Sequence, residues 1–192
     1  MRCLSRLFTA AAFKRLGSRD VKINPRSGHV LLDAQPLVAL FGSYARKAIP
    51  AGIYWFNDEG DAIRNEAMLR WSKQHRTDEV PSHLAFPTGE VSESMHADHG
   101  IVIATMRRGP AVLAVVRAES TIENQLCWLF GMANISRDKA FVVRRFPADH
   151  DTALDYAPNY ILRELFIDPD PPRPLLRRTA VDEPSPPSPP PA

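Results

Sequence analysis

Residues 101–116 constrain the fold more tightly than any other stretch. Ile101–Met106 and Ala111–Val116 are almost continuously apolar and rich in Val and Ile, and Arg107-Arg108-Gly109-Pro110 separates them. Six-residue runs are short for helices, and β-branched residues favour strands. An unbroken apolar run, in place of strict alternation, means that both faces of the strands are covered. The stretch therefore predicts a buried β-hairpin. Directly after it, Ser120-Thr121-Ile122-Glu123 has the form of a capping box. Ile122, Leu126, Leu129 and Phe130 fall at i, i+4, i+7 and i+8, one face of a helix that Gly131 ends. Trp128, Leu129 and Phe130 are expected to pack against the hairpin, so that Trp128→Ala destabilises the domain.

The flanking sequence continues this β-rich pattern. Ala10–Leu16 is a first strand candidate, followed by a polar loop from Gly17 to Gly28 that contains Asn24-Pro25. His29 opens a second apolar run, Val30-Leu31-Leu32. Pro36 then suits a helix first turn, with Leu37, Val38, Leu40 and Phe41 ahead of Gly42. Ile49–Phe56, a turn at residues 57–61 and residues 62–72 read as a second hairpin. In it Tyr54 and Phe56 share one face and Trp55 takes the other. Residues 74–99 are mostly polar and give little periodic signal. A short strand at Ala140–Arg144 and an amphipathic helix within Thr152–Ile167, interrupted by Pro158, complete the expected globular part. Ten of the 18 prolines lie in residues 169–192, a composition unable to build a core. The expected organisation is a basic segment over 1–9, one domain over 10–168 and a proline-rich tail over 169–192.

At 192 residues, the chain has room for one domain with a sizeable core. Its net charge of +2 names no partner. The distribution is uneven, however: residues 1–26 hold Arg2, Arg6, Lys14, Arg15, Arg19, Lys22 and Arg26 against a single acid, Asp20. Such a segment suits phosphate contact, or is a solvated arm. Cys3 and Cys127 are too few for a disulfide framework or a zinc site, and Cys127 sits in an apolar helical pattern as a small core residue. A reducing cytoplasm fits. Met1–Ala12 is basic with a short apolar run but lacks a convincing cleavage site for a targeting peptide. No apolar stretch is long enough to span a membrane.

The segment from Ile63 to Trp71 carries the most suggestive side chains, Arg64, Asn65, Glu66 and Arg70. Arg can fork onto guanine, Asn onto adenine, and Glu can accept from cytosine. The same residues also make an ordinary solvated strand or helix face.

Three patches together resemble the amino-terminal effector-binding domain of EcoRII-like type II restriction endonucleases. They are Phe13-Lys14-Arg15-Leu16-Gly17-Ser18-Arg19-Asp20 with Gly28-His29 downstream, Arg64-Asn65-Glu66 preceded by Ile63 in place of a family Thr, and Glu119 to Gly131. The last is similar to the family's Ser-Thr-x-Glu-x-Gln-Leu-x-Trp-Leu-Phe-Gly helix. The likeness spans roughly residues 10–167. It implies a mostly β fold with short α-helices, a B3-like DNA-binding pseudobarrel, that is, an open seven-stranded barrel. Two arms would grip the major groove of duplex DNA. Lys14, Arg15, Arg19 and His29 would belong to the first arm, and Arg64, Asn65, Glu66 and Arg70 to the second. Ala67 and Met68 stand where the family often has a basic residue, and Arg70 would replace it from the same side of a strand.

In the family a separate domain cuts DNA with magnesium. Such a centre needs an upstream acid and a downstream (Asp/Glu)-x-Lys. Here the one such triplet, Asp20-Val21-Lys22, has no acid before it. No cofactor is therefore expected for this chain, and Mg²⁺ only with a nuclease encoded elsewhere. His96-Ala97-Asp98-His99 and Asp149-His150-Asp151 resemble fragments of a metal site but more simply form solvated loops. Phosphate-cradling glycine loops and nucleophilic triad signatures are absent. The expected function is sequence-specific binding of double-stranded DNA without cleavage. Expected partners are duplex DNA, a separate nuclease subunit and a second copy of the chain, with no membrane. The alternative is a non-catalytic interaction protein, the remnant of a broken restriction gene.

Overall fold

Alternation along each strand divides the apolar side chains between two cores. The computed structural model describes residues 4–41, 48–56, 62–73, 81–132 and 140–147. In chain order it contains α1 (Leu4–Leu7), β1 (Phe8–Arg15), β2 (Ile23–Asn24), β3 (His29–Asp33) and α2 (Ala34–Phe41). Then follow β4 (Ile49–Phe56), β5 (Ala62–Ser72), β6 (His83–Pro87) and α3 (Glu90–Glu93). The last elements are β7 (Gly100–Met106), β8 (Ala111–Val116), α4 (Thr121–Leu129) and β9 (Val142–Arg145). On β7 and β8, Val102, Ala104, Val112, Ala114 and Val116 join one core, while Ile101, Ile103, Leu113 and Val115 join the other. This is why the hairpin is apolar throughout: each of its faces meets a different set of partners.

The strands form one sheet in the order β2-β3-β6-β5-β4-β8-β7-β1-β9. Among the described ladders only β4–β8 is parallel, running from Ala51↔Ala111 to Phe56↔Val116. The sheet curls into a half-barrel. Asp33 Oδ1 accepts the Gln35 N–H at 3.1 Å, so the residue that ends β3 also starts α2. Helix α2 touches β6 on one side and β1, β7 and β9 on the other. Leu37 and Leu40 sit in the inner core beside Ala10, Ala12 and Ile103. The Arg145 guanidinium donates to the Ala39 carbonyl at 3.1 Å, tying the last strand to the same helix. Helix α2 thus bridges β6 and the β7-β1-β9 side of the sheet.

Helix α4 covers the outer core as its periodicity predicts. Ile122, Leu126, Leu129 and Phe130 are buried, and Phe8 meets Phe130 edge-on with centroids 5.4 Å apart. The Ser120 hydroxyl accepts the Glu123 N–H at 3.1 Å, the first half of the predicted capping box. The return bond differs: Glu123 Oε2 accepts from the Glu119 N–H at 2.8 Å. Glu119 adopts φ 59 at this turn, the left-handed region. The helix ends where Gly131 takes φ 65.

Several expectations are corrected. The sheet has nine strands where seven are expected, because β2 and β9 add short edges. The expected domain start at residue 10 is too late, since Phe8 is fully buried and Ser5 nearly so. Trp128 is 47% exposed and does not join the outer core, because it lies off the Ile122–Leu126–Leu129 stripe. The polar stretch 74–99 contains β6 and α3, which are too short to show a period. The turn at 57–61, the helix within 152–167 and the tail lie outside the described residues. Among the described residues, no helix is long and apolar enough to cross a membrane.

Candidate nucleic-acid interface

Strand directions bring Arg15, His29 and Arg64 to one end of the sheet, whereas Arg70 lies toward the other, next to Leu69, which pairs with Ile49. β1 ends there at Arg15, which pairs with Gly100, and Gly100 pairs with Val116. Trp55, near the end of β4, pairs with Val115 and with Ile63 at the start of β5. The first arm therefore leaves after Leu16 and the second after Phe56, on the side opposite α2. Strands β1 and β4 stand three ladder positions apart, about 14 Å at the usual spacing. The segment His96–His99 ties the two exits together. Leu16 N–H donates to the His99 carbonyl at 2.9 Å, and Asp98 N–H to the Leu16 carbonyl at 2.7 Å. The His99 ring stacks on Trp55 with centroids 5.0 Å apart. Burial holds the His99 pKa below its ordinary value, helped by the charges of His96, Arg117 and Arg15 and opposed by Asp98.

The first arm differs from expectation at Lys14 and Arg15. Lys14 alternates with Ala10, Ala12 and Leu16 toward the inner core and is only 7% exposed. Its ammonium meets Asp20 Oδ1 at 2.6 Å and lies 5.4 Å from the Phe141 ring centroid. In this position Lys14 is engaged within the domain, not presented on its surface. Asp20 is fully engaged, since its Oδ2 also accepts the Gly17 N–H at 2.7 Å. Arg15 faces the outer core, where Nη2 donates to Glu123 Oε2 at 2.7 Å and Nη1 to the Asp98 carbonyl at 3.1 Å. Glu123 is buried, so this ion pair clamps β1 to α4 and is structural.

What the first arm does present is Arg19, with Lys22 and Arg26, all exposed. Its one acid, Asp20, is committed to Lys14, and the loop's outward charge is therefore positive. Asn24 Oδ1 accepts from Arg26 N–H at 2.9 Å, and Gly28 at φ 65 closes the turn. His29 pairs with Asn24 at the base of this turn, and its Nδ1 bonds the Ser27 carbonyl. Arg26, absent from the expected site, owes its place to this Asn-Pro-Arg-Ser-Gly turn.

The second arm splits the expected trio. On β5, Arg64, Glu66, Met68 and Arg70 share the outer, solvated face, whereas Ile63, Ala67, Leu69 and Trp71 pack on the inner core. Asn65 belongs to the inner side, beside Gly89. Arg70 does lie on the face of Arg64 and Glu66, as a strand requires. The Arg64 guanidinium lies 5.6 Å from the Tyr54 ring centroid, and its Nη2 stands 3.4 Å from Glu66 Oε1. Tyr54 stacks in turn on Phe56, with an interplanar angle of 8°. The ring holds the guanidinium at the sheet surface, a contact worth about 0.5–1 kcal/mol at an exposed site.

No protein-family model matches this chain, and no curated protein matches it.

His96 and His99 are the remaining candidates among the described residues. His96 and His99 lie edge to face with centroids 5.2 Å apart, and His99 Nδ1 accepts the His96 N–H at 3.2 Å. Among the described residues no group of three metal-ligating side chains assembles. Asp149-His150-Asp151 lies outside the described residues.

Proposed function

We propose that this domain binds double-stranded DNA in a sequence-dependent manner and is the effector-binding module of an EcoRII-like restriction system. The observation that carries this reading is the pair of arm exits at one end of the sheet, joined through the Trp55–His99 stack. Their separation of about three strand spacings is comparable to a major groove roughly 12 Å wide. The exposed cations Arg19, Lys22 and Arg26 would engage phosphates from one side. Arg64, Glu66 and Arg70 would meet base edges from the other, with His29 at the base of the first arm. A nine-stranded sheet whose two edge strands, β2 and β9, are short is compatible with a B3-like pseudobarrel of seven strands. Cleavage, with Mg²⁺, is assigned to a separate nuclease.

Selection from random duplexes, followed by measurement of affinity against salt, tests the proposal. An enriched sequence and a steep fall of binding with salt are expected. Arg64→Ala should weaken binding by about 1–3 kcal/mol and relax preference at one base pair. No enrichment together with no binding at low salt refutes it. A second reading, an interaction module that reads no DNA, is favoured by one observation: Met68 is 47% exposed between Glu66 and Arg70.

A further inference from the structure

A cleft of about 260 Å³ lies between β5 and α3, at the end of the sheet where the arms leave. Ile53, Phe86 and Val91 form its apolar floor, Glu66, Thr88, Glu90 and Ser92 line it with polar groups, and the Asn65 amide packs beside Gly89 at its edge. We propose that this cleft receives a single nucleobase turned out of the bound duplex. The inference rests on the DNA-binding reading and deepens it.

Size, chemistry and position each bear on the occupant. Pockets for drug-sized ligands measure about 300–1,000 Å³. A smaller cleft holds one ring system and leaves a sugar and phosphate outside. Its floor is apolar, as the faces of a base require, and the Asn65 amide offers a donor and an acceptor to a base edge. Among the described residues, none pairs with that amide. A Cβ on Gly89 would stand 3.2 Å from Asn65 Nδ2, so glycine keeps the amide accessible. Along β5, Asn65 lies between Arg64 and Glu66, which project from the opposite face. The strand would then contact the duplex with its outer face and hold the extruded base with its inner one. Turning out a base costs a few kcal/mol of stacking and pairing, least where the base is already mismatched.

The test uses the full chain and the duplex obtained by selection, with 2-aminopurine substituted at one position at a time. Unstacking makes this base brighter, so a several-fold rise on binding is expected at one position only. A mismatch at that position should tighten binding by about 10-fold or more, because part of the unpairing is already done. Asn65→Leu and Gly89→Val should abolish both the fluorescence rise and the gain from the mismatch. The wild-type scan stands by itself if either variant fails to fold. Tight binding with no bright position and no gain from any mismatch overturns the inference and leaves DNA binding intact. Failure to bind any duplex overturns both.

Discussion

Arg15→Ala separates a structural arginine from a DNA contact. Glu123 is buried and receives Arg15 Nη2 at 2.7 Å and the Glu119 N–H at 2.8 Å. Removing Arg15 leaves a buried carboxylate with its backbone donor alone. Breaking such a pair from one side costs about 3–5 kcal/mol, whereas replacing both partners with apolar residues is often near neutral. Against a total stability of about 5–15 kcal/mol, that is about a fifth or more of a typical domain's margin. At roughly 2–4 °C per kcal/mol for a domain of this size the melting temperature should fall by about 6–20 °C. The double variant Arg15→Met with Glu123→Leu should recover most of that loss. Thermal and urea unfolding read the stability, and duplex affinity is measured well below the melting temperature, where Arg15→Ala should bind nearly as the parent does. An Arg15→Ala protein that melts within about 2 °C of the parent yet loses DNA affinity would refute the structural assignment.

The other expectations use the same measurements. The Cys127 thiol is pushed up to about 12, first by burial and then by Glu123, so Cys127 should resist alkylation at pH 8 in the native protein and react once unfolded, as peptide mapping would show. Because the folded pKa is the higher one, this group's contribution is constant below about 9.0 and is lost as pH rises toward about 12. Cys127→Ala should flatten that alkaline slope. His99 is shifted the other way, chiefly by burial, so its contribution is present above pH 6.5 and lost as pH falls below it. His99→Gln should reduce acid sensitivity in unfolding curves, and an unchanged curve would count against the shift. Phe130→Ala should cost about 3–5 kcal/mol as a core truncation. Trp128→Ala, at an exposed position, should cost far less, and equal losses would contradict the packing.

The sequence was informative where burial and periodicity coincide. The 101–116 hairpin, α4 and its Ser120 cap are legible because every residue in them obeys one pattern. β6 and α3 are not, since five and four residues carry no measurable period. In the candidate site, the sharing of one face by Arg64, Glu66 and Arg70 follows from strand alternation. The same alternation sends Asn65 inward, which side-chain chemistry alone does not reveal. Lys14 and Arg15 looked alike as cations in a basic segment. Their fates depend on Asp20, six residues away across a turn, and on Glu123, which lies 108 residues along the chain. Nothing in local composition announces either partner. Trp55 and His99 likewise become significant only when their rings meet.

The position of β1 has a consequence for how the chain is made. Its two neighbours are β7 and β9, whose residues lie between Gly100 and Arg145. A nascent chain therefore displays Phe8, Ala10, Ala11, Ala12 and Phe13 with no strand to receive them until most of the domain has emerged. Loop closure over that distance slows folding, and exposed strand edges invite association in the meantime. Translation speed and chaperone supply should consequently set the soluble yield more strongly than the stability of the finished sheet does. A circular permutant that moves β1 to follow β9 would convert the β9–β1 pairing into a local hairpin and should fold faster.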